Sequence, residues 1–213
     1  MKKLLSIFGA VAMLIALPAK AEFNYGVSVI LGEVETSGSE TEKTVSGVTS
    51  EVNTEEKSEQ FVGGSLFAEY ELGNGIIFGV DYVPLDIELG SGERTDTAVA
   101  TSQGGAENDS GTRKAEATVE NLITIYTHIP VGPVYGILGY HDADITTSET
   151  LPTSSYGDAS VNGIQYGVGV KGERIRLELS HSDFDDISLT SSANTNKISA
   201  DADATSIKVS YSF

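Results

Sequence analysis

The sequence has no cysteine. It can therefore form no disulfide framework, and an exported form of it would need another source of stability. Basic residues are scarce: 13 Lys and Arg stand against 31 Asp and Glu, with no basic patch anywhere. A chain of that charge repels a phosphate backbone, so nucleic acid is excluded as a partner. Long apolar runs are missing beyond the amino terminus. If the chain crosses a membrane, it must do so as a barrel, because only helices and closed sheets satisfy their own backbone polar groups in lipid.

The one apolar run covers residues 4–17, after Met1-Lys2-Lys3 and before Pro18-Ala19-Lys20-Ala21. A basic start, a short apolar core and an A-x-A site make a secretory signal peptide, with cleavage expected between Ala21 and Glu22. The run is too short for a membrane helix, which needs about 20 apolar residues. No Cys stands at the cleavage site, so a lipoprotein is excluded. The expected organisation is residues 1–21 as signal peptide and 22–213 as one mature domain with no separate periplasmic domain. Removing Lys2, Lys3 and Lys20 leaves 10 basic residues against 31 acidic ones, a net charge near −21.

The carboxy terminus shows the pattern most clearly. Thr205, Ile207, Val209, Tyr211 and Phe213 fall on one face of a strand, and Ser206, Lys208, Ser210 and Ser212 on the other, because side chains alternate with period two. The same alternation predicts strands over residues 23–34, 60–72, 76–89, 115–129, 134–143, 161–171 and 174–188. On the fourth of these, Ala117, Val119, Ile123, Ile125 and Ile129 are expected outward. Glu116, Thr118, Glu120, Thr124, Tyr126 and His128 are expected inward, interrupted by Leu122, with Asn121 breaking the outer row. The fifth strand fits either face. Pro84 loosens pairing in the third.

Connections alternate between long and short. Gly73-Asn74-Gly75, Pro130-Val131-Gly132-Pro133 and Gly172-Glu173 are tight turns; residues 35–59, 90–114, 144–160 and 189–202 read as long polar loops. Eight strands so connected predict an all-β, eight-stranded antiparallel up-and-down transmembrane β-barrel, apolar outside and polar inside. Tyr25, Tyr70, Phe78, Tyr135, Tyr211 and Phe213 toward the turns, and Tyr82, Tyr140 and Phe184 toward the loops, suit aromatic girdles. A soluble lipocalin-like barrel would invert the faces, and an inward set rich in Gly, Ser and charge cannot line a cup for a hydrophobic ligand.

With its closing run 207–213, the Tyr135-Gly136-Ile137-Leu138-Gly139-Tyr140 strand and the strand 174–182, the chain resembles the small outer-membrane β-barrels of the OmpA/OmpX type. The resemblance covers the signal peptide and all eight strands. It implies the bacterial (Gram-negative) outer membrane, short turns in the periplasm and long loops outside. Ile207, Val209, Tyr211 and Phe213 resemble the signal read by the barrel-assembly machinery. Family members range from structural proteins to adhesins, narrow porin-like pores and a few lipid-modifying enzymes.

Three constellations could carry chemistry. Gly167-Val168-Gly169-Val170-Lys171-Gly172 matches G-x-G-x-x-G, but a dinucleotide fingerprint must leave a strand and open a helix. Inside a strand these are small inward residues that make room for bulk. His181-Ser182-Asp183 holds three triad residue types, yet on a strand His181 and Asp183 point away from Ser182. A lipid-modifying site would need His128, His141 or His181 with a Ser and a carboxylate from other strands. Asp142-Asp144, Asp183-Asp185-Asp186 and Asp201-Asp203 sit near loop-facing strand ends and match no EF-hand spacing; they read first as solvated loop rims, and the functional alternative is that divalent cations bridge them to anionic lipopolysaccharide.

The expected interior feature is an ion-pair cluster of Glu69, Arg176, Glu178 and Lys208, with Glu120 and Lys171 as further candidates and Lys208 reaching toward Glu69. Charges out of bulk water must pair. The expected function is that of a monomeric structural or surface-interaction protein of the envelope, with a plugged polar lumen, acidic loops, no cofactor and no catalytic or metal site. A narrow pore is the alternative, and a lipid-modifying enzyme the more distant one.

Overall fold

The computed structural model describes residues 22–43, 48–96, 100–101, 105–106, 111–150, 155–192 and 196–213. The expected signal peptide lies outside them. The strands are β1 (Glu22–Lys43), β2 (Thr49–Glu71), β3 (Ile77–Val83), β4 (Ile87–Asp96), β5 (Ala100–Thr101), β6 (Gly105–Ala106), β7 (Gly111–Val131), β8 (Val134–Thr150), β9 (Ala159–Lys171), β10 (Ile175–Thr190) and β11 (Lys197–Ser212). Among the described residues β5 and β6 pair only with each other; the other nine strands make one antiparallel sheet in the order β3-β2-β1-β11-β10-β9-β8-β7-β4, closed by a β3–β7 pairing. β3 and β4 are two halves of one wall strand. Pro84 between them has no N–H to give to a ladder. The fold is therefore an all-β, eight-stranded antiparallel barrel whose first and last strands close on each other, Val29 opposite Val209.

Alternation sorts the side chains. Val27, Val29 and Leu31 on β1, Ile164, Tyr166, Val168 and Val170 on β9, and Ile207, Val209 and Tyr211 on β11 are exposed on the outside. With Leu66, Phe78, Ile125, Leu138 and Leu177 they form an apolar belt. Phe213 extends it: its N–H donates to the Tyr25 carbonyl at 3.0 Å, and its ring lies 5.7 Å from that of Tyr25 and 5.5 Å from that of Tyr211. β8 settles with Tyr135 and Ile137 buried inside and Leu138 and Tyr140 outside. Tyr135 is thus no girdle residue. Nor is Phe184, which packs on the interior cluster of Ala143, Ile145 and Val161.

β7 departs from the simple reading. Asn121 has φ 54°, and the pairing with β8 slips between Glu120 and Ile123. This bulge adds one residue and flips every side chain beyond it. Thr124, Tyr126 and His128 stay buried inside. Past the bulge, Val119 stands opposite the buried Ile145 and packs inward with Ala117 and Leu122. Glu116, Thr118 and Glu120, expected inside, consequently face out. Similar slips at Glu88/Gly90 and Phe184/Ile187 turn Leu89 and Ile187 onto the same cluster.

The polar segments are also more ordered than loops. β1 and β2 remain paired from Glu22↔Glu71 to Lys43↔Thr49, so most of residues 35–59 is hairpin. Strand pairing needs backbone groups, not lipid, and Ser, Thr and Glu side chains continue the ladder beyond the belt, as Ser37 does by donating to Asp201 at 2.7 Å.

Candidate functional site

The lumen holds a charged core near the tight-turn end. Arg176 Nη1 donates to Glu69 Oε1 at 2.7 Å and also to Oε2, and its guanidinium lies 4.6 Å over the Phe67 ring. Tyr126 donates its hydroxyl to Glu69 Oε2 at 3.0 Å. Lys208 Nζ stands 3.2 Å from Asp81 Oδ2 and 3.1 Å from Glu178 Oε2. Tyr135 donates to Glu178 Oε1 at 2.7 Å. His128 is stacked between the Tyr126 and Tyr135 rings at 4.7 and 4.5 Å, its Nε2 3.4 Å from Glu178.

The four residues expected to cluster, Glu69, Arg176, Glu178 and Lys208, lie together in the lumen, but the partners differ. Lys208 reaches Asp81 and Glu178 instead of Glu69. Lys171 is outside the cluster and pairs with Glu71 at the turn end, and Glu120 is on the outer face. Asp81, Tyr126, Tyr135 and His128 complete the core. Their signal was present in the alternation, which places Asp81, Tyr126 and His128 inward, but pairing across β3, β7, β8, β10 and β11 is not readable from one strand at a time.

Inward glycines seat the rings. A Cβ on Gly79 would stand 2.3 Å from Tyr126 Cζ, and one on Gly169 2.4 Å from Tyr135 Cζ. The G-x-G-x-x-G match is therefore a packing feature: Gly169 is the floor under Tyr135. Gly169→Val is expected to push Tyr135 off Glu178 and cost about 1–3 kcal/mol, the usual penalty for overpacking. Urea unfolding from lipid vesicles checks it, and an unchanged midpoint would show that the ring does not need the glycine.

Higher in the lumen, Thr124 Oγ1 and His141 Nδ1 are 2.7 Å apart, and His141 Nε2 and Ser182 Oγ 2.9 Å. This is a histidine–serine contact, but the second ring nitrogen meets a threonine where an acyl-transfer site places a carboxylate, and all three side chains are buried. His181 instead faces out, 3.7 Å from Asp203. Among the described residues no group of three or more His, Asp or Glu is placed to hold a metal ion.

At the long-hairpin end a second network ties the strand extensions together. Arg113 Nη1 donates to Glu40 Oε1 at 3.1 Å, Tyr156 donates to the same oxygen at 2.6 Å, and Asn53 donates to Glu42 at 3.2 Å. Burial first, then the hydrogen bond and charge of Glu40, hold the Tyr156 hydroxyl well above its ordinary pKa. It therefore remains a donor throughout the physiological range.

No protein-family model and no curated protein matches the sequence. Solved structures do. The outer membrane protease OmpT of Escherichia coli is similar over 90% of this chain and 98% of its own, with a TM-score of 0.51 at 10% identity. Ail, the attachment invasion locus protein of Yersinia pestis, covers 90% of this chain and 99% of its own at TM-score 0.43 and 11% identity. Neisserial surface protein A covers 84% and 96% at TM-score 0.37 and 12% identity. The OmpT likeness, added to the closed ring of antiparallel strands, assigns the architecture: this chain has the fold of the outer-membrane β-barrels.

Proposed function

We propose that the chain is exported by its signal peptide and spans the bacterial outer membrane as a monomeric structural or surface-interaction barrel. The turns lie in the periplasm and the long hairpins outside, and the lumen is closed by its own side chains. The observation that carries this reading is the apolar belt around a closed sheet whose interior is charged, paired and buried. Water would leave that belt exposed, whereas lipid covers it. The protein is not an enzyme in this reading, and a filled lumen argues against the narrow pore. Asp142, Asp144, Asp201 and Asp203 on the outer face, with Asp183 at the belt margin opposite Ile164, meet lipopolysaccharide through divalent cations.

A heat-modifiability gel tests the placement. Protein from the outer-membrane fraction should migrate differently before and after boiling, as an intact barrel does; identical migration, or recovery in the soluble periplasm, would refute it. The closing strand supplies a further expectation. Ile207, Val209, Tyr211 and Phe213 form one outward row, which we assign as the signal to the barrel-assembly machinery. Deleting Phe213, or replacing Tyr211 and Phe213 by Ser, should leave export intact and abolish the heat-modifiable form. Normal yields of that form would remove the assignment.

A further inference from the structure

The long-hairpin end of the barrel holds a cleft of about 430 Å³, within the range of ~300–1,000 Å³ usual for ligand sites. β1, β2, β4, β7, β8 and β11 all contribute to it, with Tyr156 from the segment between β8 and β9. One wall is low: Ala115 lies between Gly92 and Glu149 in the ladder, so a carboxylate stands beside a single methyl group and a bare backbone. Tyr156 is held at both ends, its hydroxyl on Glu40 at 2.6 Å and its N–H on Glu149 Oε2 at 2.8 Å. A ring fixed before the ligand arrives loses little freedom on binding. Asn53, also in the lining, donates to Glu42 at 3.2 Å and keeps its amide oxygen as an acceptor.

The charges around the cleft select its ligand. Arg113 is matched by Glu40 at 3.1 Å and Lys114 by Glu93 at 2.8 Å. Lys57, beside the cleft, stands 3.7 Å from the lining residue Glu55. Among the described residues, Glu149 is the lining carboxylate that meets no cation. A phosphate, sulfate or carboxylate ligand would face that negative charge with every nearby cation already committed. A cationic ligand would have to break the Lys57 or Lys114 pair to gain a second partner. A neutral ligand rich in hydroxyls disturbs none of these pairs. Its hydroxyls donate to Glu149 and Asn53, hydrogen bonds to a carboxylate being the stronger kind, and its C–H faces cover Tyr156, Ile198 and Ala115. That pairing of hydroxyl edges with apolar faces is the chemistry of a sugar ring.

We propose that this cleft binds a neutral saccharide, with Glu149 and Asn53 meeting its hydroxyls and Tyr156 its apolar face. The proposal deepens the surface-interaction reading and rests on the placement of the long hairpins outside the cell. The purified barrel in detergent micelles is applied to a printed array of neutral, carboxylated and sulfated oligosaccharides, and each preparation is also run on a heat-modifiability gel. Neutral oligosaccharides should be retained, to the same extent at low and high salt. Ala115→Trp, which fills the low wall, should weaken retention severalfold while the barrel stays heat-modifiable; Asn53→Ala serves should the first fail to assemble. Retention of charged oligosaccharides alone, or neutral binding indifferent to both changes, would overturn the saccharide site. A heat-modifiable wild type that retains no neutral oligosaccharide would overturn the site and leave the barrel standing. A wild type that is not heat-modifiable would overturn both.

Discussion

Replacing Arg176 with Met should cost about 3–5 kcal/mol of stability, the usual penalty for breaking a buried ion pair by removing one partner. Met keeps much of the stem packed against Phe67, so the loss reports mainly on Glu69. That carboxylate is 1% exposed and would retain only the Tyr126 hydroxyl. Glu69→Gln should be similarly costly, because it leaves the guanidinium unneutralised. Exchanging both partners for apolar residues should cost much less than the two single changes added together, since no uncompensated charge remains. With no tryptophan in the chain, unfolding from vesicles is best followed by far-ultraviolet circular dichroism or by the gel shift. Single-variant costs near zero would mean that water reaches Glu69 and Arg176, and that the lumen is open there.

The second large effect belongs to the outer face. Val168→Arg, 55% exposed in the middle of the outward row of β9, should cost about 2–4 kcal/mol in a bilayer, as should Leu177→Arg, with the penalty falling to about 0–1 near the interface. Glu35→Arg, on the outer face of β1 beyond the belt, should lie at that low end. Ser210 is no gentle alternative inside the lumen. It is 1% exposed and its Oγ accepts a 2.9 Å hydrogen bond from Ser28, so Arg there would overpack. Equal costs at Val168 and Glu35 would show that lipid does not cover the belt.

The closing strand and β9 could be read residue by residue, because each keeps a strict alternation and a face error would turn every side chain over. β7 could not. Its signal was the Asn121-Leu122 break: one inserted residue lets Val119 and Leu122 both face in, and it carries Glu120 out. Similar breaks hid the inward turn of Leu89 and Ile187. The charged core was legible as a set and not as a wiring diagram. Which carboxylate Lys208 meets depends on stagger around the barrel, which no single strand encodes. Tyr135 looked like a girdle aromatic because a tyrosine near a turn serves either face, and only Gly169 on the neighbouring strand makes room for it inside. The extended hairpins were missed for a different reason: polarity marks where lipid ends, not where the ladder ends.

A membrane barrel filled by its own paired side chains should not conduct. An eight-stranded lumen is just wide enough to be filled in this way. The direct measurement is conductance of the purified protein in planar bilayers. The wild type should be silent apart from rare openings, and Arg176→Ala should make those openings more frequent. Steady ohmic conductance from the wild type would contradict the filled lumen.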